Sequence, residues 1–420
     1  MQRPELFSSS KEFIGVCAFF VLLLLIHLFF KYESYQHFIV KPFYYTYANV
    51  ITAYSKKRNS RVYQVIKLRS DEGYTFYTTT HRRENLNHKR LRLQIFPNKN
   101  IHFKDFLGTF YVKSKIKHQE KIPQGFKERV LDRVVKQHDN RALQSFYNAI
   151  FFATPLQKEV REQIAKLGVS HLVALSGFHI GILWGLIYGL LLLLYKPLQQ
   201  KYFPYRFALF DVGLVAMLLL GLYVCFVGYP ASLLRSYAMV FVGWAVVLMG
   251  LELLRFRFLG IVMLSLVAIF PSLLVSLGFW LSVAGVFYIF LLLRYIDFFK
   301  KWVVTLVVIP LGIFILMLPI VHTVFGITST YQLLSPLWSI LFVPFYPLAI
   351  LLHLLGMGGV FDSALLWLLN LPQATQEHSL PWWATLFYIA LSIGAIWQKR
   401  AFYIVVTLAF IYGAYIFINP

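Results

Sequence analysis

Residues 13–30 form an apolar run with one polar member, His27. A bilayer core takes about 20 helical residues, so the run is expected to span a membrane. Lys31-Tyr-Glu-Ser-Tyr-Gln follows it without a small-residue cleavage site, which favours an uncleaved anchor over a signal peptide. From 38 to 118 the period changes. Short β-branched and aromatic runs at 50–54, 62–68, 74–80, 91–96 and 106–116 alternate with turn-rich breaks at 55–60, 71–73 and 97–100. That pattern predicts about five strands in a small sheet or barrel. From Phe126 it becomes helical and amphipathic: Val130, Val134 and Val135 share a face, while Lys127, Arg129, Arg133 and Lys136 fall mostly on others. The segments 141–152 and 156–167, broken by Pro155, continue it and are expected to lie in the membrane interface.

Beyond residue 170, spans are expected at 171–195, 207–227, 231–251, 257–275, 278–294, 302–322, 381–397 and 401–418. Every second loop is basic: Lys196, Lys201 and Arg206; Arg255 and Arg257; Arg294, Lys300 and Lys301; Lys399 and Arg400. Basic loops stay cytoplasmic, so 31–168 is expected outside. The stretch 333–355 carries Pro336, Pro344 and Pro347. Proline removes a helix donor and clashes one turn back, which predicts a broken, re-entrant hairpin there. The fold class is a polytopic α-helical membrane protein with an anchor helix at 1–30, an extracytoplasmic β domain at 31–125, interfacial helices at 126–168 and a multi-span domain at 169–420.

Composition sharpens this division. Hydrophobic residues make up 58% and charged residues 14% of the chain, against about 25% charged in a soluble domain. That excludes a purely soluble enzyme. Residues 31–168 carry net +16 of the total +22. Cys17 and Cys225 both sit in apolar runs and build neither a disulfide framework nor a zinc site.

The densest motif is His171-Leu-Val-Ala-Leu-Ser-Gly-Phe-His-Ile-Gly181. On one continuous helix, Gly177, Gly181, Gly185 and Gly189 form a stripe suited to close helix packing. His171, Ser176 and His179 cover another arc, which faces either a protein interior or water. A helix–helix interface with internally bonded histidines explains the same residues. Ser176 and His179 also suggest a nucleophile and base, although no acidic residue lies nearby in sequence. Gly228-Tyr-Pro-Ala-Ser-Leu-Leu-Arg235-Ser236 places Arg235 in the first turns of a span, either snorkelling or lining an anion path. In the β block, Arg82, Arg83, Lys89 and Arg90 lie near Tyr74 and Tyr77. Cations there can meet phosphates and rings can stack bases; contact with anionic lipid headgroups explains the cations equally. No nucleotide, metal or cofactor motif appears.

Taken together these motifs resemble the ComEC family of inner-membrane channels for DNA uptake in bacterial competence. The 171–180 stretch is similar to that family's His-Leu-Leu-Ala-Ile-Ser-Gly-Leu-His-Ile, 228–236 to its Ser-x-x-Arg-Ala, 277–282 to its Gly-Phe-Gln-Leu-Ser, and 334–341 to its Ser-Pro-Leu-Ala-Asn. The block at 31–125 resembles its outward OB-fold module. The family glutamine is Trp280 here and the asparagine falls near Trp338 and Ser339, so no polar role is expected at those positions. The metallo-β-lactamase-like nuclease motif of many members is absent from these residues, as are cysteines in the β block. The resemblance implies a non-enzymatic channel passing single-stranded DNA, with His171, Ser176, His179 and Arg235 along the path. It implies membrane lipid, a separate DNA receptor, a nuclease and a cytoplasmic ATPase as partners, with homodimerisation open, and the cell inner membrane as location. The rival readings are a transporter of a small anionic or lipid-linked solute and a membrane hydrolase using Ser176 and His179.

Overall fold

The computed structural model describes residues 9–58, 61–82, 84, 86, 87, 89–121, 125–248, 256–296, 299–371 and 374–418, with the side chains of Lys57, Arg58, Arg61, Ala231, Arg235 and Val246 outside that description. The chain divides into two compact units, Ser9–Gly125 with Met263–Leu277, and 126–262 with 278–420.

In the first unit, α1 (Ser10–Val40) starts where the Ser9 side chain accepts from the Glu12 N–H at 3.2 Å, a standard N-cap. The helix continues ten residues past the apolar run. Its end packs Tyr35, Phe38 and Ile39 on the β core, and the Tyr35 hydroxyl donates to the Ile101 carbonyl at 2.9 Å. His27, the polar member of the run, has its own partner: Nδ1 lies 2.6 Å from the Ala268 carbonyl.

The β domain comprises β1 (Tyr44–Arg58), β2 (Arg61–Ser70), β3 (Thr75–Thr80), β4 (Lys89–Phe96), β5 (Phe110–Tyr111) and β6 (Lys113–Lys121), with a short helix α2 (Phe103–Leu107) before β5. The expected strand at 106–116 therefore begins as helix. β1 pairs with β2 and β4, β2 with β3, β4 with β6, all antiparallel, and β3 runs parallel to β5. β5 and β6 are joined through Val112, whose N–H donates to Tyr77. The sheet thus closes on itself as a barrel. A register shift between Val50 and Thr52 bends the long β1 so that it serves both neighbours. Ala48, Ile66, Leu68, Phe76, Leu91, Leu93 and Ile95 fill the interior.

The second unit is helical. It runs α3 (Phe126–Val135), α4 (Arg141–Phe152), α5 (Lys158–Lys166), α6 (Ser170–Val173), α7 (Gly177–Tyr202), α8 (Ala208–Val227) and α9 (Ala231–Leu248). α10 (Phe256–Ile269) crosses from this unit to the other; α11 (Leu277–Tyr295) begins at the boundary. α12 (Lys301–Val303) passes through a π-helical turn into α13 (Ile309–Val324), followed by α14 (Ser335–Leu354), α15 (Asp362–Leu369), α16 (Trp382–Gly394) and α17 (Lys399–Ile418). A two-residue pair, β7 (Ile327–Thr328) and β8 (Gln376–Glu377), closes the α13–α16 connection.

Seven helices among the described residues are long and apolar enough to cross a membrane, α1 included. The protein is a multi-pass membrane protein. Three expected spans are shorter helices or fall below that measure: α9, α10 with 14 described residues, and α16 with 13.

Two expectations fail here. The stretch 333–355 is not a broken hairpin. α14 is continuous through Pro344 and Pro347, with Pro336 at its first turn. A first-turn proline forfeits no helical bond, and one face of α14 packs on protein through Ser335, Phe342, Tyr346, Ala349 and His353, a setting in which interior prolines are tolerated. The span drawn from His171 is also wrong at its start, since α6 ends at Val173 and α7 begins only at Gly177.

The helices at 126–168 are amphipathic, and their apolar faces meet protein. Leu131, Val134, Leu143, Phe146, Tyr147, Ile150, Phe151, Val160 and Ile164 join a core with Ile180, Leu220, Val224, Phe342 and Tyr346. The segment follows α14 from end to end. The Gln137 side chain donates to the His353 carbonyl at 3.1 Å. At the other end Ser335 donates to the Gly168 carbonyl at 3.0 Å, and Gln332 to Ala165 at 3.4 Å. Gly168 has φ +71, and a Cβ there would stand 3.1 Å from the Gln332 side chain, so this close approach requires glycine.

Candidate functional site

The motifs read separately in the sequence meet in space. Ser176 sits between α6 and α7 in extended backbone as the N-cap of α7. Its N–H donates to His179 Nδ1 at 3.3 Å, and its hydroxyl receives the His179 backbone N–H. This is a capping box in which histidine replaces the usual glutamate. His171 Nε2 lies 3.1 Å from the Ser339 hydroxyl oxygen, whose own proton goes to the Ser335 carbonyl at 2.9 Å. The histidine is therefore the donor. Ser339 does carry a polar role, contrary to expectation, because a hydroxyl suffices to accept from an imidazole. From α9, Ser232 donates to the Leu175 carbonyl at 2.8 Å and Ser236 to the Ser232 carbonyl at 2.9 Å. Gly177 faces Ser236: a Cβ there would stand 3.1 Å from its hydroxyl. Arg235 lies in α9, and its side chain is outside the described residues, as is Arg83 entirely.

A polar seam thus joins α6, the start of α7, the start of α9 and the start of α14. His171 is exposed along it and His179 is buried. The His179 ring stands edge-on to Phe342 and Tyr346, with centroids 5.1 and 4.8 Å away. Its Nε2 has no hydrogen-bond partner among the described residues. A nucleophile–base pair needs a third group to orient the base; here Nδ1 lies 3.3 Å from both the Ser176 backbone N–H and the Ser176 hydroxyl, and no carboxylate among the described residues faces the ring. The geometry is that of a helix cap rather than a hydrolytic pair.

Beyond Gly177 the glycine stripe does not pack. A Cβ on Gly181, Gly185 or Gly189 would meet nothing within 4 Å, because these positions sit on an open face of α7. The close crossing lies elsewhere: at Gly213 in α8 a Cβ would stand 2.1 Å from Trp244 Nε1 in α9.

A second cluster was invisible to spacing. His138 is stacked on Tyr147 at 4.3 Å between ring centroids. Its Nδ1 lies 2.9 and 3.0 Å from the two Asp362 oxygens, and its Nε2 lies 2.9 Å from His353 Nε2. His353 Nδ1 is 2.6 Å from the Ala349 carbonyl. A carbonyl and a carboxylate only accept, so both Nδ1 atoms carry protons. The Nε2–Nε2 contact needs one more. With that third proton the pair would carry one positive charge against Asp362.

On the barrel, parity decides which side chains are available. Tyr74 packs inward against Phe38 and Phe106 and is not a stacking surface. Tyr77 is half-buried beneath Lys67 at 5.6 Å. Lys89 is largely buried, paired with Glu84 at 3.6 Å and donating to Gln119 at 3.1 Å. Arg90 is paired with Asp71, and Arg82 is exposed. The outward row that sequence reasoning missed is Phe43, just before β1, with Tyr45 and Tyr47 on it, exposed at every second position. Arg90 lies over Tyr47 at 5.2 Å, and Arg92 over both Tyr45 and Tyr47 at 5.8 Å. The alternation of 43–50 was the available signal. At the inner edge of this face, partial burial opposes ionisation of Glu72, but hydrogen bonds from Thr46 and Tyr44 outweigh it and hold the carboxyl below its usual range.

A family model described as Competence protein matches residues 153–415. The chain belongs to the competence protein family. The match takes in all three motifs of the polar seam. Recombination protein 2 of Haemophilus influenzae is 27% identical over 240 residues, which is 51% of this chain and 29% of that protein. No solved structure matches.

Proposed function

We propose that this chain is the inner-membrane channel component that passes a single DNA strand into the cytoplasm during natural transformation, with its barrel on the outer side as an OB-fold-like strand-binding module. Family membership supports the role in DNA uptake. The barrel connectivity supports the fold reading: the first strand pairs with the second and fourth, and the third runs parallel to the start of the last, as in a five-stranded Greek-key barrel. The basic loops at 196–206, 255–257 and 294–301 support the outward placement. In the membrane unit, His171, Ser176, His179 and Arg235, with Ser232, Ser236 and Ser339, are the polar lining assigned to the path. Strand receptor, nuclease and motor are assigned to separate proteins.

The observation that carries strand binding is the exposed row Phe43, Tyr45 and Tyr47, with Arg90 and Arg92 over the two tyrosines. Ring faces stack bases of any sequence for about 1–3 kcal/mol each. The test is titration of the purified full chain with a fluorescent oligonucleotide at several salt concentrations. Tyr45→Ala with Tyr47→Ala is expected to weaken binding without changing the salt slope. Arg92→Ala is expected to reduce the slope by about 0.7 for each phosphate that the guanidinium neutralises. No binding at about 50 mM salt, where phosphate pairing is strong, overturns the reading and favours a solute transporter.

A further inference from the structure

We propose that the cleft between α3 and the end of α14 binds the phosphate headgroup of an anionic phospholipid. The cleft has a volume of about 530 Å³ and is lined by Arg129, Asp132, Arg133, Lys136, Gln137 and His353, with Leu354 and Gly356 at its edge. Arg129, Arg133 and Lys136 recur at helical spacing of four and three, so one stripe of α3 and the turn after it presents all three. Each is exposed, and none forms an ion pair among the described residues. Among the described residues Asp132 is the one carboxylate lining the cleft. Asp362, behind it, is already engaged by His138.

The floor is rigid. The Gln137 side chain donates to the His353 carbonyl and accepts from the Gly358 N–H at 2.8 Å. A Cβ on Gly358 would stand 2.6 Å from Gln137 and 2.7 Å from His353, so the turn fits tightly beneath the cleft. The cations are thereby held against a fixed wall rather than on a mobile tail.

The rim decides the kind of ligand. Leu354 is 80% exposed, Leu355 64%, Met357 54% and Val360 58%. They follow directly from a helix long and apolar enough to cross a bilayer. Four large apolar side chains open to the surroundings beside three unpaired cations form an interfacial pattern: acyl chains cover the first, headgroup phosphates meet the second. A nucleic-acid strand would satisfy the cations and leave the apolar rim wet.

The experiment uses the full chain in a neutral detergent, with phosphatidylglycerol and phosphatidylcholine offered together and the bound lipid read by native mass spectrometry. Phosphatidylglycerol is expected to be retained over phosphatidylcholine. Each cation near an anionic headgroup contributes about 1 kcal/mol, so the preference should fall about fivefold for each of Arg129, Arg133 and Lys136 replaced by alanine. Asp132→Asn is expected to raise it. All four side chains are exposed, and the alanine variants are expected to fold. The lysine variants Arg129→Lys and Arg133→Lys should retain the preference. An unchanged preference in the triple alanine variant overturns the proposal. So does displacement of the bound lipid by an oligothymidine strand, which would assign the cleft to nucleic acid instead.

Discussion

Among the described residues Asp362 is the sole carboxylate bonded to the buried histidine pair, and its removal is the sharpest single-residue test of that cluster. Breaking one partner of a buried ion pair costs about 3–5 kcal/mol. The His138 side chain is fully buried and that of Asp362 is 22% exposed, so the lower figure applies. Asp362→Asn is expected to destabilise the chain by about 3 kcal/mol, read as a lowered midpoint of thermal aggregation in detergent. An unchanged midpoint would mean that the pair holds no charge. None of this was readable from the sequence: His138 lies more than 200 positions from His353 and Asp362, with no motif linking them. Tyr74 was legible and was misassigned. Phe76 and Thr78 are buried in β3, so residue 74 shares their inward parity, while Tyr77 belongs to the other face.

Among elements, the start of α7 shows how a motif can be correctly located and wrongly folded. A helical wheel drawn from His171 assumes continuity, and the Ser176 cap breaks it. The same stretch still supplied the residues that meet Ser232, Ser236 and Ser339, because their polarity in an apolar run was informative whatever their angular placement. The glycines were less informative. Spacing by four marks a common face but does not say whether another helix occupies it. Gly181→Ala is therefore expected to be tolerated, and even to gain about 1 kcal/mol of helix stability. Gly213→Ala forces the methyl onto the Trp244 indole and is expected to cost about 1–3 kcal/mol. The comparison is made on matched thermal melts in detergent; equal midpoints for the two variants would refute the assignment of the α8–α9 crossing.

At the scale of the molecule, apolar runs and their basic punctuation exposed the division into a β block and a helical block, and residue 125 is the observed edge between them. What patterning missed was where the 126–168 segment goes. Amphipathic patterning pointed to the membrane interface, and the apolar faces instead meet a protein core that includes α14. Both ends of α14 are tied to that one segment, so a count of crossings that assigns α14 to opposite sides has to reconcile its two tethers. The proposed outward placement predicts that Lys117→Cys, exposed on β6, reacts with a membrane-impermeant thiol reagent in intact cells. Lys196→Cys is expected to react only after permeabilisation. Labelling in the reverse order would invert the topology.

The long first helix carries a mechanical consequence. Because α1 runs without a break from its apolar stretch into the barrel core, no hinge separates the two. Ten residues of continuous helix amount to a strut of about 15 Å, clamped at its far end by Tyr35 and Phe38. Any tilt of the apolar stretch is then transmitted to the barrel as a swing of the whole body, and the Tyr45–Tyr47 face can be re-aimed only by moving its post.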